Sequence, residues 1–158
     1  MDTFIKQLPR SAKEAESVAR RHDHRLKRGA LVETTVDVPY RHAFEVRHAS
    51  YFNDAFYDLL QRHGCGFVIA DSAGRFPYDE QVTGDFVYVR LHGSTELYVG
   101  GYTDHELDTW ARKVVGWLRG APGKDVYVYF DNDVKVRAPF DAIGLHVRVE
   151  SLLANGSL

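Results

Sequence analysis

The sequence predicts an α/β fold built on about four parallel β-strands with flanking helices, and three observations predict it. A short apolar run breaks abruptly into charged and polar residues four times, over residues 43–48, 67–72, 86–93 and 126–133. These runs are rich in β-branched and aromatic residues and are bounded by turn signals, the pattern of buried strands. Helix-like segments with their own start and stop signals follow most of them. Parallel strands that all turn polar at one end place a functional face at the strand carboxyl ends.

From the amino terminus, residues 11–26 read as a helix, with Ser11 as cap and Glu14 at capping-box spacing. Ala12, Ala15, Val18 and Ala19 give it a weak apolar stripe. Residues 27–40 contain Lys27-Arg28-Gly29, a Thr-rich stretch and Pro39, and read as a surface loop. The first strand starts near Arg41. Asn53 then caps a helix to His63, terminated by Gly64, with Phe56, Leu59, Leu60 and His63 on one face. The second strand runs from about Gly66 to Asp71. The segment from Asp71 to Asp85 includes Gly74, Pro77 and Gly84, and so holds a loop rather than a crossover helix.

The third strand passes through Gly93 into a Gly-rich loop containing Tyr98, Gly100, Gly101 and Tyr102. Thr103 and Glu106 form a second capping box, and Gly120 closes the helix. Leu107, Trp110, Ala111, Val114, Trp117 and Leu118 fall on one helical stripe and are expected to pack against the sheet. The fourth strand leads to Ala138-Pro139 and a final helix to about Leu153. Residues 1–158 are expected to form a single domain, with a helix and irregular loop over 1–40 and four strand units over 41–158.

A chain of 158 residues, 44% hydrophobic and 27% charged, has the composition of a soluble globular domain rather than a disordered one. No apolar run approaches the ~20 residues of a membrane span, and the amino terminus lacks a signal-peptide core. A cytoplasmic protein without membrane contact is expected. Cys65 is the one cysteine, which excludes an internal disulfide, and its place between two glycines suits a small buried filler. Residues 1–30 carry eight Lys/Arg against four Asp/Glu, whereas residues 31–80 carry four against eight. The basic segment suits the solvated face of an amphipathic helix or, as the rival, contact with nucleic acid.

The segments EVRHASYF, FVIADSAGRFP, VTGDFVYVRLHG, LYVGGYTDHELDTWARKV and DVYVYFDNDVKVRAPFDA closely resemble the carboxyl-terminal half of the YecE-like family (domain of unknown function 72). FIKQLPRSAKEAESVARRHDHRL is similar to the helical region before that family's fifth strand. The resemblance implies a TIM-type barrel with no established biochemical role. Four further strands precede this region in the family, and a closed barrel takes about 200–250 residues. The chain is therefore expected to be a partial TIM-type barrel, the carboxyl-terminal half. It would be a truncated product, or a protein that completes its barrel by pairing with a second copy or with an amino-terminal half. Open outer edges at the first and fourth strands would leave it aggregated, partly molten or dimeric on its own.

Strand parity selects the candidate site, since alternate side chains share a face. Glu45 and Arg47 share one, as do Tyr88, Arg90 and His92; Asp71 ends the second strand, and Asp131 and Asn132 straddle the end of the fourth. Glu45, Arg47, Asp71, Arg90, His92 and Asn132 are expected to converge at the carboxyl-terminal mouth. His92 is the general acid or base, with Glu45 or Asp71 as its carboxylate partner. Arg47 and Arg90 are anion clamps, and Asn132, Asp131, Lys135, Arg137 and Tyr98 are further substrate contacts. The same residues could instead form a structural network of mutually satisfied charges. Glycines at 93, 100 and 101, with Lys135 and Arg137 before a helix start, suit a phosphate; Asp104 and Asp141 in the helix first turns oppose one.

No metal is expected: on a strand Glu45 points away from His42 and His48, so these three cannot share an ion. No P-loop, dinucleotide fingerprint or nucleophile elbow is present, and no organic cofactor is expected. The expected activity is acid–base chemistry, hydrolase- or lyase-like, on a small anionic, phosphate- or sugar-like substrate. The alternatives are a nucleic-acid-binding module, with an aromatic mouth of Tyr51, Phe76, Tyr98 and Tyr102, and a non-catalytic fragment.

Overall fold

A computed structural model describes residues 1–94, 100–120 and 123–156, which form two compact units, Met1–His42 and Ala43–Leu158. In the first unit, helix α1 (Asp2–Ile5), which the sequence does not announce, precedes α2 (Ala12–Ala19). Ser11 caps α2 by accepting from the Glu14 backbone N–H, and Glu14 in turn accepts from the Arg10 N–H. The helix stops seven residues short of the expected end at Leu26 because nothing apolar lies between Ala19 and Leu26 to hold a further turn. Ser11 and Pro39 form an isolated antiparallel bridge, so the loop returns beside the start of α2.

The second unit is a four-stranded parallel sheet in the order β1 (Ala43–Phe44), β2 (Gly66–Asp71), β3 (Phe86–Leu91), β4 (Asp125–Phe130). The expected parallel α/β architecture is present, with β1 and β4 as the outer strands. β1 is shorter than the sequence suggests. Beyond Phe44 the chain leaves the ladder, and His48 caps a short 3-10 turn at Ala49–Tyr51 by accepting from the Ser50 N–H. The segment between β2 and β3 carries no helix, as expected, and Thr83 pins it by donating to the Cys65 carbonyl and accepting from the Phe67 N–H.

The register divides the sheet into two faces. Val68 pairs with Tyr88 and Ala70 with Arg90, so Phe67, Ile69 and Asp71 share the face of Val87, Val89 and Leu91. That face is the core: its apolar side chains are buried, and Tyr57 of α3 (Asp54–Arg62) meets Phe67 edge-on at 5.4 Å. On β4, Val126, Val128 and Phe130 lie between α4 (Asp104–Gly120) and α5 (Ala138–Asn155). The other face carries Tyr88, Tyr127 and Tyr129, with the Tyr88 and Tyr129 rings stacked 5.1 Å apart.

The caps read from the sequence are made. Asn53 accepts from the Phe56 N–H at 3.1 Å, Gly64 ends α3 at φ +60°, and Thr103 and Glu106 exchange both capping-box bonds. α4 departs from its expected stripe. Trp110 is buried, Trp117 and Leu118 are half-buried, and Val115 is buried although it lies off the stripe. α4 packs on both β4 and α5, so its buried arc is wider than a single-sheet contact requires. Among the described residues no helix is long and apolar enough to cross a membrane.

One glycine is fixed by packing. A Cβ on Gly66 would stand 2.9 Å from Cζ of Phe86. Gly66→Ala is expected to destabilise the chain by about 1–3 kcal/mol through overpacking, read from denaturant unfolding. An unchanged midpoint would show that the Phe86 ring moves aside freely.

Candidate functional site

At the carboxyl ends of β1, β3 and β4, on the tyrosine face, five side chains close into a ring. Glu45 follows β1, Arg90 lies in β3, His92 follows β3, and Asp131 follows β4. Ala70, paired with Arg90 on the intervening β2, is small enough for the guanidinium to cross above it. Arg90 Nη1 donates to Glu45 Oε2 at 2.5 Å, and Nη2 donates to Asp131 Oδ2. Arg47 donates through Nε to Glu45 Oε1 at 3.0 Å, and its guanidinium lies 4.7 Å from the centre of the Phe76 ring. His92 sits inside the ring with its side chain 1% exposed, Nδ1 at 2.8 Å from Asp131 Oδ1 and Nε2 at 3.6 Å from Glu45 Oε1.

Two carboxylates thus face two guanidiniums around one imidazole. Burial alone would raise the Glu45 carboxyl, but hydrogen bonds from Arg90 and Arg47 outweigh it and hold the group below the usual carboxylate range. Burial works against the Arg90 charge as well, and the carboxylates of Glu45 and Asp131 more than offset it. A carboxylate at ion-pair distance from Nδ1 orients a histidine ring, the arrangement of a general acid–base pair.

Asp71 and Asn132 do not join this ring. The register puts Asp71 on the core face beside Leu91, and Asn132 has the parity of Phe130 rather than of Tyr129. They belong to a second polar network behind the sheet. The Tyr102 hydroxyl donates to Asp71 Oδ2 at 3.0 Å and accepts from the Gly93 N–H at 3.1 Å. The Tyr102 N–H donates to Asp141 Oδ2 at 3.0 Å, and Asn132 Nδ2 donates to the same oxygen at 2.7 Å. Burial pushes the Asp71 carboxyl up, against the Tyr102 hydrogen bond. Burial, then the Asp71 charge, pushes the Tyr102 phenol far above its ordinary value.

The remaining expected contacts are scattered. Arg137 is exposed and packs against Gly101, where an added Cβ would come within 2.5 Å of its Nε. Asp141 fills the first turn of α5 beside it. Tyr98 and the Lys135 side chain lie outside the described residues. The aromatic mouth does not assemble either: Tyr102 is buried over Phe130, and Tyr51 packs edge-on to Phe56. Sequence reasoning assigned Asp131 to the substrate rather than to His92 and gave Asp141 only a helix-dipole role. The alternation Tyr127, Tyr129, Asp131 was the available signal for the first; nothing local marks the second.

The family model described as "Protein of unknown function DUF72" matches residues 1–155. A solved DUF72 family protein from Thermotoga maritima is 31% identical, with a TM-score of 0.61 over 73% of this chain and 47% of that one. A DUF72 family protein from Enterococcus faecalis, 17% identical, has a TM-score of 0.62 over 88% of this chain and 52% of its own. A second structure of that protein aligns at 21% identity and a TM-score of 0.54, over 71% and 48%. The chain spans about half the length of these neighbours. No curated protein matches it. With a family match over nearly its whole length and a DUF72 protein 31% identical to it among its structural neighbours, the chain belongs to the DUF72 family.

Proposed function

We propose that this chain carries the acid–base centre of an enzyme acting on a small anionic substrate of phosphate- or sugar-like chemistry. The supporting observation is the ring itself: a histidine with 1% of its side chain exposed stands between two carboxylates that one guanidinium bridges. His92 moves the proton, and Asp131, 2.8 Å from Nδ1, orients the imidazole. Glu45 anchors both arginines. Arg90 is engaged at both ends by carboxylates, so its part is to hold the ring together rather than to clamp a ligand. Arg47, with 47% of its side chain exposed, supplies the positive charge at the rim that an anion meets first.

Turnover of a panel of phosphate monoesters and sugar acids by the wild-type chain tests this. His92→Ala is expected to lower kcat on the order of 10²-fold or more. Arg47→Ala is expected to raise KM about tenfold with little change in kcat, as loss of a charge-assisted contact does. A wild-type rate that His92→Ala changes by less than about threefold would reduce the ring to a structural ion-pair network.

A further inference from the structure

We infer that Tyr102 is a positioning residue that sets His92 against Asp131 from behind the sheet. The functional meaning of this inference rests on the acid–base role proposed for His92; its structural content does not. Tyr102 is 4% exposed and holds the residue after His92 and the residue before Asp131, and through Asp141 it reaches the residue after Asp131. Its hydroxyl accepts from the Gly93 N–H at 3.1 Å while donating to Asp71 Oδ2 at 3.0 Å. The ring packs edge-on against Phe130, with centroids 5.6 Å apart. Its own N–H binds Asp141 Oδ2 at 3.0 Å, and Asn132 Nδ2 binds that oxygen at 2.7 Å and the Gly100 carbonyl at 2.8 Å.

The Tyr102 side chain thus ties Gly93, after His92, to Phe130, before Asp131, while its backbone N–H shares Asp141 with Asn132. Backbone bonds alone fix them less completely: the His92 N–H meets the Asp71 carbonyl at 2.9 Å, and the Asp131 N–H meets the Leu91 carbonyl at 3.1 Å. Gly93 stands at φ +126°, a conformation that side-chain-bearing residues rarely adopt, so its N–H points to the Tyr102 hydroxyl only while that turn is held. A shift of ~1 Å at residues 92–93 or 130–132 would take the 2.8 Å approach of His92 Nδ1 to Asp131 Oδ1 well beyond hydrogen-bonding reach.

Imidazole nitrogen shifts in the intact chain, followed by NMR across pH, report both the His92 tautomer and its protonation. The charged groups facing His92 are Glu45, Asp131 and Arg90; those around Tyr102 are Asp71, Asp141 and Glu106. Tyr102→Phe removes the hydroxyl and keeps the ring. It is expected to change the His92 protonation constant at least threefold and to shift the tautomer population. Asp131→Asn should change both as well, and the double variant should show less than the sum of the two effects. Asp71→Leu, which removes the acceptor, should move His92 in the same direction, whereas Asp71→Asn, which keeps one, should leave it near wild type. These two carry the test even if Tyr102→Phe does not fold.

Unchanged His92 signals in Tyr102→Phe, or equal effects of Asp71→Leu and Asp71→Asn, would overturn the inference and leave Tyr102 a packing residue. Turnover insensitive to His92→Ala, with the NMR response present, would sink the acid–base role alone. Turnover dependent on His92, with no NMR response, would sink the positioning role alone.

Discussion

Trp110→Ala is expected to cost about 3–5 kcal/mol of unfolding free energy. The indole is 6% exposed in a helix whose neighbours Leu107, Ala111 and Val114 are all buried. The Lys113 ammonium lies 4.4 Å from the centre of one of its rings, so a cation–π contact is lost as well. Urea unfolding should show a lower midpoint at an unchanged slope. Trp117→Ala should cost less, roughly 1–2 kcal/mol, because its ring is only half-buried. Equal losses at the two positions would show that α4 presents the single uniform face read from its periodicity.

That contrast shows where the sequence stops being informative. Ser11, Asn53 and Thr103 could be read as helix caps because each capping bond closes within three residues, so spacing alone determines it. The four strands could be read because burial on the core face demands apolar runs. Trp110 lies beside Asp71, Phe76 and Tyr78, at the end of β2 and in the loop after it, and that neighbourhood is set by contacts far away in sequence. The site divides in the same way. Glu45 with Arg47, and Arg90 with His92, follow from alternation within a strand. Asp71 was misassigned because the two-residue period fixes relative orientation within β2 but not which set faces the core; only pairing with β3 decides that. The Arg90 bridge joins strands that are not neighbours, across a small Ala70, and no local pattern encodes it.

Arg90→Met should destabilise the chain by roughly 1–3 kcal/mol at pH 7, and the loss should shrink as pH falls. Removing the cation leaves the Glu45 and Asp131 carboxylates facing each other around His92, with Arg47 bound to Glu45 alone. Breaking a fully buried pair costs about 3–5 kcal/mol, and water reaching the partly exposed Arg90 and Asp131 side chains reduces that here. In the wild type, Glu45 has a folded value below its unfolded one, near 4.3. It therefore contributes stability that is present above that unfolded value and is lost as pH falls through the folded one. In Arg90→Met, burial of Glu45 is opposed only by Arg47 and His92, so its carboxyl moves up and that contribution shrinks. The difference between the two proteins should be widest above the ordinary carboxylate range and should narrow as pH falls through the lowered folded value of wild-type Glu45, where that carboxyl is protonated in both. Arg90→Lys should recover only part of the loss, because an ammonium cannot present the planar fork that reaches both carboxylates. Unfolding free energies of the three proteins between pH 3.5 and 7.5 measure this. A destabilisation that grows toward low pH would mean that the ring is held by something other than the charge of Arg90.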